Sequence, residues 1–142
     1  MSDPLIAYDD LELYLLEWFR TALAERPEPE CADVEVVRVE PPTDDLPEKL
    51  LVIRDDGATD TSFITAEASL GFTVLAGSKE NPKVAKDLAR IVHALLSQIP
   101  SGDPANPFAA LLSRTSPVLV QESQPKARAY ATATFAIAGR GI

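Results

Sequence analysis

At 142 residues the chain has room for one substantial core and little for a second, so residues 1–142 are expected to form a single domain. A hydrophobic content of 46% is too high for an acidic disordered chain, and a net charge of −9 speaks against a nucleic-acid reader that grips phosphates through clustered Lys and Arg. A single cysteine, Cys31, cannot close an intramolecular disulfide, and "MSDPLIAYDD" lacks the basic-then-apolar plan of a secretory leader, so an intracellular, soluble protein without membrane contact is expected.

In chain order, the first predicted element is a helix over "LELYLLEWFRTALAE". Asp9 is its expected N-cap, with Glu12 completing a capping box. Leu11, Leu15, Trp18 and Ala22, flanked by Tyr14 and Phe19, form its apolar face, and "RPEPE" ends it near Glu25. The β-branched run "DVEVVRVEPP" predicts a strand from Val34 to Val39. After the polar "TDDLPEK", "LLVIR" predicts a second strand and "ITAEASLGFTVLAG" a third. In the third, Ala66, Ala68, Leu70, Phe72, Val74 and Ala76 alternate with Glu67, Ser69, Gly71 and Thr73, the period of a sheet with one buried face.

"NPKVAKDLARIVHALLSQIP" carries the clearest helix signal. Asn81 is the expected cap, Pro82 suits the first turn and Pro100 marks the end. Val84, Leu88, Ile91, Val92, Leu95 and Ile99 fall on one face, with Lys83, Lys86, Asp87, Arg90 and Gln98 on the other. "SGDPANP" is a loop by composition, and "FAALLS" carries no decisive pattern. The remaining "SPVLVQESQPKARAYATATFAIAG" predicts a strand, a turn around Ser123 to Pro125 and a long strand whose buried side is mostly alanine. The expected fold is α+β, two main helices on a mostly antiparallel or mixed sheet of about five strands.

Asp55, Asp56 and Asp60 are the first candidates for chemistry, because grouped carboxylates bind Ca²⁺ or Mg²⁺. The spacing in "DDGATDTSFITAE" does not match an EF-hand loop, and Asp-Gly suits a hairpin turn whose tip Asp60, Thr61 and Ser62 would solvate. His93 has no carboxylate or further metal ligand near it in sequence, and Cys31 sits among acids that do not activate a thiolate. Neither a nucleophile elbow nor a glycine-rich phosphate loop is present. No catalytic, cofactor-binding or metal-binding residue is therefore assigned. Trp18 and Phe19 are expected to pack, and the basic, aromatic "KARAY" to be a solvated strand end.

The order of "PLIAYDDLELYLLEWFRTAL", "LLVIRDDGATDTSFITAEASLGFTVLAG", "NPKVAKDLARIVHALL" and "SPVLVQESQPKARAYATATFAIAG" resembles that of the tail terminator proteins of long-tailed phages, especially phages of actinobacteria, over nearly the whole chain. The resemblance implies a small α/β subunit that forms a hexameric ring on the finished tail tube, stops its polymerisation and meets the head's connector or completion proteins. It also implies that DNA passes through the ring without specific binding, that the protein resides in the virion at the head-tail junction after assembly in the host cytoplasm, and that there is no catalytic residue or cofactor. Asp55, Asp56, Asp60, Arg128 and Tyr130 are the candidate interface residues. The competing readings are a metal-dependent hydrolase built on the three aspartates and a non-viral adaptor module.

Overall fold

The computed structural model describes residues 5–142. Two helices, α1 (Leu11–Ala24) and α2 (Lys83–Leu95), lie on one face of a six-stranded sheet, which makes the fold α+β as expected. The sheet contains β2 (Glu35–Val37), β3 (Lys49–Asp60), β4 (Thr65–Ala76), β5 (Phe108–Arg114), β6 (Val118–Val120) and β7 (Ala127–Ala138). Its order is β2-β3-β4-β7-β5, and β6 follows β5 along the same edge of β7. Only the β2–β3 pair is parallel. A two-stranded clasp joins β1 (Ile6–Ala7) to β8 (Arg140–Gly141).

Alternation along β4 and β7 places the core. Ala66, Ala68, Leu70, Phe72, Val74 and Ala76 face the helices, as do Ala127, Ala129, Ala131, Ala133, Phe135 and Ile137 of β7, all of them buried. On α2 the buried side chains are Ala85, Leu88, Ala89, Val92 and Leu95, and a short 3-10 turn carries Ile99 into the same core. Small residues on both surfaces let helix and sheet approach closely. Among the described residues no helix is long and apolar enough to cross a membrane.

Several expectations need correction. The cap of α1 is Asp10, whose carboxylate accepts from the Leu13 N–H at 3.0 Å, while Asp9 pairs with Arg140. Glu12 does not close a capping box but accepts from the backbone N–H of Asp55 at 2.7 Å. The buried face of α1 is Leu11, Leu15, Leu16, Phe19 and Leu23, so it is rotated away from Trp18 and Ala22, which are only half-buried. The cap position of α2 is Pro82 rather than Asn81, and no side chain satisfies it. The undecided "FAALLS" segment is β5, where two register irregularities interrupt the alternation.

The largest correction concerns the acidic turn. Asp55, Asp56 and Gly57 do not form the hairpin tip. They form a β-bulge inside the single long strand β3, where the register against β4 slips between Asp55 and Ala58. Gly57 has φ +100°, which a side chain with a Cβ rarely adopts, so the strand bends there at a residue that can follow. The chain reverses later, at Thr61–Ile64, where Ser62 Oγ accepts from the Thr65 N–H at 3.1 Å. Gly57→Ala is expected to cost about 1–3 kcal/mol from strain alone, because open space surrounds the missing Cβ. Chemical denaturation measures this, and a loss below a few tenths of a kcal/mol would contradict the bulge geometry.

Candidate functional site

The side chains on the sheet face opposite the helices build the candidate site. Register pairs Arg54 with Gly71 across β3 and β4, and Gly71 with Thr132 across β4 and β7. The bulge then brings Asp56 back beside Arg54. The guanidinium donates to Asp56 Oδ1 at 2.6 Å and to the Tyr130 hydroxyl at 2.8 Å, and its carbon lies 5.6 Å from the Tyr130 ring centroid. Gly71 makes room for this group, since a Cβ there would stand 3.0 Å from the Tyr130 hydroxyl and 3.2 Å from Arg54 Nη2. The paired carboxylate holds the Arg54 guanidinium above its ordinary pKa.

The bulge is also tied to α1. Arg38 donates to Asp10 Oδ2 at 3.0 Å and to Glu12 Oε1 at 3.1 Å, while the other Glu12 oxygen holds the Asp55 N–H. The Leu13 N–H, and after it Arg38, favour the ionised Asp10 carboxylate and lower its pKa. Asp55 turns its own carboxylate back onto the Gly57 N–H at 2.8 Å.

At the other end of the face, Arg128 is not solvated as the "KARAY" reading expects. Its side chain is 16% exposed and forms a two-pronged pair with Glu40, at 2.8 and 2.9 Å. Glu122 Oε1 lies 2.7 Å from Arg128 Nε and adds a second ion pair. Leu50 and Leu75, fully buried outside the main core, lie in register beside Arg128. The β2–β3 connection that carries Glu40 therefore crosses this end of the face, and Glu67, Ser69, Thr132 and Thr134 remain uncovered or half-covered at the other.

Of the candidate interface residues, Asp56 and Tyr130 meet through Arg54. Asp55 is held within the bulge, Asp60 ends β3, and Arg128 belongs to the separate group with Glu40 and Glu122. Among the described residues no three His, Cys, Asp or Glu side chains are grouped to hold a metal ion. His93 is half-buried, and desolvation, then Arg114, lowers its pKa. Burial raises the pKa of the Cys31 thiol, which is the reverse of thiolate activation.

No protein-family model matches the chain, and no curated protein matches it either.

Arg54, Glu40 and Glu122 on the candidate face, and Glu12 of α1 in its role at the bulge, are the residues that sequence reasoning does not place in the candidate site. A glycine in the middle of a strongly alternating strand, Gly71, is the one local signal of a close approach there. A groove beside α1 is also new; Leu13, Tyr14, Trp18, Glu17 and Glu25 are among the residues that line it.

Proposed function

We propose that this protein is a tail terminator of a long-tailed phage, a structural subunit that closes into a hexameric ring on the end of the tail tube, ends tube polymerisation and receives the head's connector. One observation carries the reading beyond the order of motifs: the helices cover one face of the sheet, while part of the other face is uncovered and no further strand among the described residues pairs with the sheet's outer strands. A subunit completed by its neighbours has this one-sided plan. A net charge of −9 suits a passage for DNA, because an acidic wall repels phosphates. The Arg54, Asp56 and Tyr130 group then serves as a polar docking surface, and the protein has no catalytic role. Its location is the head-tail junction of the virion.

The test is deletion of the gene from its phage, followed by electron microscopy of the products. Overlong tube polymers and tails without heads are the expected result, reversed by supplying the purified protein. Tails of uniform length joined to filled heads in the deletion would overturn the proposal.

A further inference from the structure

Two stretches of sheet edge stand out. Val118, Leu119 and Val120 of β6 are all exposed, at 59%, 43% and 41%, although they pair with β7 on their inner side. Their outer side pairs with no described strand. Exposed, unpaired apolar strand edges recruit another strand. The second free stretch is the end of β3. Strand β2 covers only Leu50–Val52 and Glu12 takes the Asp55 N–H, which leaves Ala58–Asp60 with an open outer edge.

These edges lie on opposite sides of the sheet and near opposite ends of its long strands. Residues Arg128–Tyr130, beside β6, pair with Thr73–Leu75, whereas Asp60 pairs with Ala66 near the hairpin. Their charges are also opposite. Near β6, Lys79 donates to the Glu122 carbonyl and Arg114 to the His93 carbonyl, so neither cation has a carboxylate partner among the described residues. Of the acids beside them, Glu40 and Glu122 are already held by Arg128, and Glu80, next to Lys79, makes no ion pair among the described residues. At the β3 end, Asp60 makes no ion pair among the described residues, and the Asp55 carboxylate is bound only to a backbone N–H. Two different, complementary patches on one subunit generate a head-to-tail contact, which closes as a ring when its rotation closes and grows as a filament when it does not, whereas a single self-complementary patch gives a two-fold dimer.

We propose that the β6 edge of one copy adds to the Ala58–Asp60 edge of the next, so that the sheets of successive subunits run together around the ring. This rests on the ring reading above and assigns its subunit contact. Ala58 and Leu119 are exposed, and both lie in register opposite alanines of the helix-facing side, so cysteines at these positions can bridge neighbours; buried Cys31 stays out of the reaction.

Under mild oxidation, a chain carrying both Ala58→Cys and Leu119→Cys should give a ladder of covalent multimers ending at the closed ring. Each single variant alone should give no covalent multimer, and a mixture of the two should give covalent dimers only. Leu119→Lys should weaken association at least about tenfold with an unchanged melting temperature, as expected for a surface position. Covalent dimers from Leu119→Cys alone would mean a two-fold contact and overturn the assignment. Rings visible by microscopy without a ladder would overturn the contact but leave the ring reading intact. If no association occurs in solution or on tail tubes, both fall.

Discussion

Leu88→Ala should lower the stability of the fold by about 2–5 kcal/mol, the range for removing a fully buried leucine side chain. Leu88 has no exposed surface and lies at the centre of the α2 face that packs on β4 and β7. Refilling the space would require α2 to move inward, but Ala85 and Ala89 of the helix and Ala129, Ala131 and Ala133 of the sheet already bring the two backbones close. The cavity should therefore persist, which places the cost in the upper half of that range. Leu95, at 6% exposure near the end of the helix, should fall in the lower half. Urea denaturation measures both, and a shift in midpoint without a change of slope identifies lost stability. A Leu88→Ala loss below about 1 kcal/mol would mean that α2 is free to shift on the sheet.

Arg128→Ala should cost about 1–3 kcal/mol, more than the few tenths expected of a solvated strand residue, because it leaves Glu40 and Glu122 facing each other without a cation. Adding Glu40→Gln should recover part of that loss, so the two changes together should be less than additive. The same pair carries a pH signature. The hydrogen bonds from Arg128 lower the pKa of Glu40 in the folded state. The stabilisation is therefore complete above the unfolded glutamate pKa of about 4.3 and is lost as pH falls through the lower folded value. In Arg128→Ala this part of the acid sensitivity should disappear. A variant as stable as the parent at neutral pH, with the same acid profile, would show that the group contributes nothing.

Much of the architecture is legible in the sequence, for identifiable reasons. The signals for α2, β4 and β7 are repeated over a dozen or so residues, so each extra turn or pleat confirms the period. The β3 bulge is not legible because Asp-Gly satisfies the same backbone demand in a bulge as in a hairpin turn; only the pairing of Ala58–Asp60 with β4 distinguishes them. Strand β5 hides because its irregular register breaks the alternation that would reveal it. The rotation of α1 escapes because Leu16 and Leu23 compete with Trp18 and Ala22 for the core, and the choice depends on where the sheet lies.

The candidate face was legible only in its parts. Tyr130 and Asp56 could be named, but their link is Arg54, whose hydroxyl partner is 76 residues away. Arg128 reads as solvated because Glu40, 88 residues earlier, sits in a proline-rich connection with no pattern of its own. Long-range ion pairs leave no local period.

The clasp between β1 and β8 joins segments at far ends of the described chain, and the Arg140–Asp9 pair beside it spans 131 residues. Few backbone bonds hold it, and its strands are two residues each, too short to find one another in an unfolded chain. The sheet and helices must assemble first and bring the two segments together. The clasp is thus a late seal on a finished subunit and contributes little to the folding nucleus.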